Sequence, residues 1–192
     1  MSERTPTALV LLATGAEEME TVITVDVLRR AGIEVVLAGV EGPDLVRCSR
    51  GVRIHPDASL EELGDRLFDA VVLPGGLEGA RRLADSAAVG EVLRRHVEAS
   101  RLVGAICAAP TALVRHDLFG GTTMTSHPSV RAVVAGHATA SDERVVDVGP
   151  LVTSQGPGTT FDFALQLVSR LVSPEKADEI ALPMILSGRG GS

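Results

Sequence analysis

The 192-residue chain contains no tryptophan and no tyrosine, and only four phenylalanines. That scarcity removes the flat aromatic platforms on which single-stranded nucleic acids stack. No Lys/Arg-rich run is present, and 18 basic against 25 acidic side chains leave a net charge of −7, so the electrostatic footprint of a nucleic-acid binder is missing as well. Two cysteines, Cys48 and Cys107, are too few for a disulfide framework. No apolar run approaches the ~20 residues that cross a bilayer, and no charged-then-apolar leader precedes Ala8. No cluster of His, Cys, Asp and Glu has metal-ligand spacing, and no Gly-x-Gly-x-x-Gly or Walker-type loop follows the first apolar run. The expectation is a soluble cytoplasmic protein with no metal, no cofactor, no membrane association and no specific nucleic-acid partner.

What is present is aliphatic: 45% of the residues are hydrophobic, enough for one core of Val, Leu, Ala and Ile. One domain over residues 1–192 is expected, with flexible ends at 1–6 and in the Gly/Ser-rich stretch 187–192. Residues 8–13 read as a strand, 17–31 as a helix ended by Gly32, and 34–39 as a second strand, a βαβ unit. Residues 46–48 and 52–54 flank Ser-Arg-Gly as a hairpin, and 57–62 carry capping residues for a helical turn. A buried strand over 68–73 ends in Pro74-Gly75-Gly76. Helical pattern then runs to Ser100 with a break at Asp85-Ser86. Residues 101–106 lead into Cys107 and a helix. Residues 122–125 form a short strand and 128–135 a helix. Residues 145–148 and 151–153 pair around Gly149-Pro150, and helices cover 159–172 and the stretch after Ser173. Buried strands alternating with helices predict an α/β fold, a doubly wound parallel sheet covered on both faces.

In such a sheet, ligands bind beyond the carboxyl ends of the strands. Four informative segments fall at strand ends: residues 14–20 (TGAEEME), Pro74-Gly75-Gly76, Cys107 and Ser126-His127-Pro128. Cys107 at a strand-to-helix junction, between the small Ala105 and Ala109, is a candidate nucleophile whose pKa a helix N-terminus would lower; the competing reading is a small core residue. Gly75 and Gly76 either turn the chain with positive φ or aim N–H groups at an oxyanion. Glu17, Glu18 and Glu20 either complement the helix dipole or place one or two carboxylates in the cleft, Glu20 being favoured because Val22 and Ile23 mark the buried face. A desolvated carboxyl there would be a proton donor or acceptor. His127 is a pocket imidazole or a capping residue; His55, His96, His116 and His137 read as structural.

Residues 15–21 (GAEEMET), 26–32 (DVLRRAG), 56–60 (PDASL), 71–76 (VVLPGG), 106–113 (ICAAPTAL) and 156–159 (GPGT) together resemble the DJ-one/ThiJ/PfpI superfamily, from about residue 7 to 186. The resemblance implies a flavodoxin-like, three-layer α/β/α sandwich, a cytosolic homodimer, and glyoxalase or deglycase activity on small reactive carbonyls, with oxidative-stress protection and chaperone behaviour. It assigns Cys107 as the oxidation-sensitive nucleophile, Glu20 as the acid hydrogen-bonded to it and His127 as the pocket histidine. Gly75, Gly76 and Ala108 become backbone donors, Glu17 an acidic neighbour, and Arg30 and Arg50 arginines of the pocket mouth and dimer interface. Departures are Ala109, where the family has glycine, and Leu77, where it has a polar residue; both bear on pocket shape. A class I amidotransferase is disfavoured because no histidine follows His137, and a PfpI-type peptidase because Ala108, not histidine, follows the nucleophile. The rival from another class is a redox-sensing chaperone whose Cys107 is oxidised to sulfinate without turnover.

Overall fold

Successive residues of β1 (Thr7–Leu12) enter two different cores: Ala8, Val10 and Leu12 face one, Leu9 and Leu11 the other. Period-two alternation with apolar residues on both sides is what a central parallel strand needs, because helices cover both faces. In the computed structural model, which describes residues 4–186, β1 sits inside a seven-stranded sheet. Its other members are β2 (Glu34–Gly39), β5 (Ala58–Ser59), β6 (Ala70–Leu73), β7 (Leu102–Ile106), β10 (Val145–Val148) and β11 (Leu151–Ser154). The order is β10-β11-β7-β6-β1-β2-β5. All neighbours are parallel except β10, which returns antiparallel to β11 at the edge through the Gly149-Pro150 turn.

On one face, α1 (Glu18–Arg30), α6 (Thr160–Leu171) and α7 (Pro174–Ala181) bury Val27, Leu28, Phe163, Leu167 and Ile180. On the other, α2 (Leu77–Asp85), α3 (Ala87–Glu98) and α4 (Pro110–Arg115) bury Leu83, Leu93 and Leu113. This is the expected flavodoxin-like sandwich. Ser86 caps α3 by accepting the Val89 N–H, which explains the break read from the sequence. With so few aromatics, close approach substitutes for ring volume: a Cβ on Gly104 would stand 3.0 Å from Phe163.

Two small sheets flank the large one. The expected hairpin forms from β3 (Val46–Arg47) and β4 (Arg53–Ile54). Residues 122–125 give β8 (Thr123–Thr125), which pairs in parallel with β9 (Thr139–Ser141) outside the main sheet; α5 (Arg131–Ala135) lies between them. The helical turn expected over 57–62 is instead split. Ala58 and Ser59 pair with the end of β2, and only Glu61–Leu63 turns, as a 3-10 segment, because Glu62 accepts hydrogen bonds from the Ser59 N–H and hydroxyl. No helix among the described residues is long and apolar enough to cross a membrane. Of the ends expected to be flexible, 1–6 and 187–192, residues 1–3 and 187–192 lie outside the described residues, whereas Arg4 pairs with Asp69 and the Pro6 carbonyl accepts the Glu34 N–H.

Strand order reverses at β1, with β2 added on one side and β6 on the other, so the topological switch point lies beyond the carboxyl ends of β1 and β6. The loops after β1, β6 and β7 meet there.

Candidate active site

Cys107 follows the last residue of β7 in a left-handed conformation, φ 64°, which costs a non-glycine residue about 1–3 kcal/mol. Its N–H donates to the Ser154 carbonyl and its carbonyl accepts from the His127 N–H, so β11 and the loop after β8 both hold the strained residue. The sequence placed a helix N-terminus directly under the thiol. The structure corrects this: α4 begins three residues later, at Pro110, and is six residues long. The thiol pKa is not lowered but pushed up to about 12, first by burial and then by the charge of Glu20; N–H groups of Gly76 and Ala108, which point at the sulfur, act in the opposite direction.

Glu20, fully buried on the first turn of α1, is the partner. Its Oε2 accepts the Gly75 N–H at 2.7 Å, while Oε1 is buried with no hydrogen-bond partner among the described residues. Burial raises this carboxyl to about 7, against the Gly75 N–H and Cys107, which lower it; the charge of Glu17 raises it further. The two groups titrate as a pair. Between about 7 and about 12 they hold one proton between them. When that proton sits on Glu20, the charge opposing the thiolate is gone and the otherwise orphaned oxygen has a hydrogen to donate.

Gly75 is the spacer that lets this happen. A methyl group there would stand 2.6 Å from the Cys107 Cβ and 2.8 Å from Glu20 Oε2, so Gly75→Ala is expected to lose about 1–3 kcal/mol of stability and to slow Cys107 alkylation, measured by thermal melts and thiol labelling. Because its N–H is committed to Glu20, Gly75 is not free to serve as an oxyanion donor, a correction to the sequence reading; Gly76 and Ala108 remain.

The cleft above the sulfur has a volume of about 680 Å³. Glu17, Arg50, Gly76, Ala108 and His127, all singled out from sequence, line it with Cys107. Arg50 arrives on the β3–β4 hairpin, pinned by Glu18: the Arg50 N–H donates to Glu18 Oε1 at 2.9 Å, and the Ser49 hydroxyl lies 2.7 Å from Glu17 Oε2 and 2.8 Å from Glu18 Oε2. Burial would raise the Glu18 pKa, yet these hydrogen bonds hold it below the usual carboxylate value. Ser49 was missed and Glu18 was named only as part of the acidic run, since nothing in the sequence ties residues 31 positions apart. The acidic run was the one available signal.

His127 combines both roles considered for it. It lines the cleft, and it caps the following 3-10 turn, its Nδ1 accepting the Ser129 N–H at 3.2 Å and lying 2.8 Å from the Ser129 hydroxyl. That pattern leaves the proton on Nε2. The other histidines face backbone carbonyls; His96 is fully buried between Val92 O and the Phe68 N–H.

Within this chain Arg30 stands apart from the cleft, and the dimer-interface place that the resemblance implies for it concerns a second copy. It occupies the last turn of α1, about 15 Å along the helix axis from Glu20 at 1.5 Å per residue, and pairs with Asp26. Ala109 is fully buried in helical conformation, so no glycine is needed there, whereas Leu77, 68% exposed, forms part of the cleft wall. Cys48 also borders the cleft, but its thiol is pushed up to about 11 by burial and by the charges of Glu18 and Glu17.

A model of the DJ-1/PfpI family matches residues 6–170. The chain is 46% identical over 181 residues to Protein dj-1beta of Drosophila melanogaster, covering 94% of this chain and 97% of that one. The crystal structure of that protein superposes with a TM-score of 0.94 at 45% identity, covering 96% of this chain and 100% of that chain. Parkinson disease protein 7 homolog of Danio rerio is 50% identical over 182 residues, 93% of this chain and 96% of that protein. A Caenorhabditis elegans protein named Glutathione-independent glyoxalase DJR-1.2 is 39% identical over 182 residues, 94% of this chain and 96% of that protein.

Proposed function

The chain belongs to the DJ-1/PfpI family, and from that premise we propose that it is a cysteine-dependent, cofactor-independent glyoxalase or deglycase, converting methylglyoxal-type carbonyls, free or as early adducts with thiols and amines. The observation that carries the reading is the buried Glu20 carboxyl, one oxygen held by Gly75 and the carboxyl's only other neighbour of this chemistry among the described residues being the strained Cys107. The name of the Caenorhabditis elegans relative supports it.

In the proposed reaction the Cys107 proton passes to Glu20 and the sulfur bonds to the aldehyde carbon. The carbonyl π pair moves to oxygen, which takes the proton from Glu20 and gives a hemithioacetal. Gly76 and Ala108 N–H groups stabilise the charge first on sulfur and then on that oxygen. Glu20, ionised again, removes the hydrogen from the former aldehyde carbon. The enediolate so formed takes a solvent-exchanged proton from Glu20 on the neighbouring carbon, while the C1 hydroxyl proton passes by way of His127 Nε2 to the C2 oxygen, giving a lactoyl thioester. Water adds, the C–S bond breaks and lactate leaves with the thiol restored.

Run in D2O without glutathione, this route puts solvent deuterium on C2 of the lactate, as NMR of the product will show. Deuterium-free lactate contradicts the enediol step, and no lactate contradicts the glyoxalase reading. The proposal includes a homodimer: Met19 and Val22 on α1 are half-exposed apolar side chains of the kind a second copy covers.

A further inference from the structure

Leu77 and Ala108 stand between the cleft and a neighbouring recess. These two residues line the cleft on one side and, on the other, the recess, a depression of about 300 Å³ between α2, α4 and α5. Ala80 and Ala84 on α2, Val114 on α4 and Val130 and Val133 at the start of and within α5 line it too, with Arg81 and Arg115 also at its edge. The Thr111 hydroxyl at its floor already donates to the Ala108 carbonyl at 2.7 Å, so it presents no free hydrogen to an incoming polar group. Leu77 and Val133 are 68% and 51% exposed, a cluster of aliphatic surface that a folded chain ordinarily covers or uses.

Its position decides what the recess is for. Ala108 follows Cys107 directly, and the Ala108 N–H points at the sulfur. The cleft around that sulfur is polar toward Glu17, Ser49 and Arg50 and aliphatic toward Leu77, beyond which the recess with Val133 begins. We infer that the recess is an apolar subsite of the Cys107 cleft, which receives a nonpolar arm of the carbonyl compound, so that the site favours 2-oxoaldehydes and adducts bearing an aliphatic or aromatic substituent over methylglyoxal itself. Leu77, on the shared wall, and Val133, on the far wall, are its specificity-determining residues. The inference rests on Cys107 being the nucleophile and does not require turnover.

The test uses alkylation of Cys107 in the full chain by iodoacetamide and by N-phenethyl iodoacetamide. In each case a C–S bond forms, a C–I bond breaks, iodide leaves and the thiol proton goes to solvent. Rates are read at Cys107 by peptide mass and divided by the rates with N-acetylcysteine, so that intrinsic reagent reactivity cancels. The arm-bearing reagent is expected to be faster by about tenfold, the scale of one ring moved from water into an apolar pocket. Leu77→Gln and Val133→Ser are each expected to cut that ratio at least threefold; because both reagents meet the same variant, any general loss of thiol reactivity drops out. A normalised ratio near one in the unaltered chain, or a ratio the variants leave untouched, overturns the subsite while leaving the nucleophile in place. Failure of both reagents to label Cys107 overturns the nucleophile assignment and the subsite together.

Discussion

Cys107→Ser is expected to lower lactate formation from methylglyoxal by about a thousandfold or more, down to the rate of the uncatalysed reaction. The Cys48 thiol and the Ser49 hydroxyl, which also line the cleft, are poor substitutes. The Cys48 thiol is pushed up to about 11, and the Ser49 hydroxyl is held between Glu17 and Glu18. A serine hydroxyl at position 107 would keep the size and the left-handed backbone but would hold its proton far more tightly than a thiol, and Glu20, which rises only to about 7, is too weak a base to remove it. The check is a coupled lactate assay on purified wild type and variant, with matched thermal melts so that lost activity is not lost fold. Retention of a tenth or more of the wild-type rate would remove Cys107 from the mechanism.

Glu20→Gln is expected to act on activity and stability in opposite directions. Activity should fall about a hundredfold, the usual range for losing a positioned proton donor and acceptor. Wild-type activity should rise with pH through about 7, where the doubly protonated Glu20–Cys107 pair gives up its first proton; the variant should lose that inflection. For stability, the Glu20 pKa is raised on folding, from 4.5 to about 7. The stabilisation from the proton it holds is therefore fully present below 4.5 and lost as pH rises through 7. The loss approaches about 3 kcal/mol on the alkaline side, at 1.36 kcal/mol per pH unit of displacement. Glutamine cannot ionise, and its amide can accept the Gly75 N–H and fill the orphaned position. Denaturant titrations at pH 5 and pH 8.5 should show the variant gaining on the wild type by about 2.5 kcal/mol between the two, part of the loss being already complete at pH 5. An equal difference at both pH values would mean that Glu20 is not buried as an acid.

The sequence exposed the parts of this site that follow from strand ends. Cys107, Gly75-Gly76 and the Glu17–Glu20 run each terminate a continuous apolar stretch, and a parallel sheet brings such termini together whatever the loop details. What it hid depends on side-chain direction and on single dihedrals. Of the carboxylates Glu17, Glu18 and Glu20, only the fold shows that Glu20 turns inward to Gly75 while Glu17 and Glu18 both meet the hairpin at Ser49. The positive φ at Cys107 delays α4 to Pro110, which removed the helix N-terminus expected under the thiol. Arg30 matched a motif, but α1 carries it to the far end of its own length. Strands of two or three residues, such as Ala58–Ser59 and Thr139–Ser141, are too short for any periodicity to register, and their pairing is set by neighbours.

The central claim is that the Glu20–Cys107 pair turns over carbonyl substrate and is not consumed by it. The most direct test counts moles of lactate per mole of chain during incubation with excess methylglyoxal, without glutathione, with the intact mass of the protein recorded before and after. The account predicts many lactates per chain and an unchanged mass. At most one carbonyl equivalent retained per chain, or a chain that forms no lactate while Cys107 gains two oxygens from added peroxide, would contradict it and identify the thiol as a sensor.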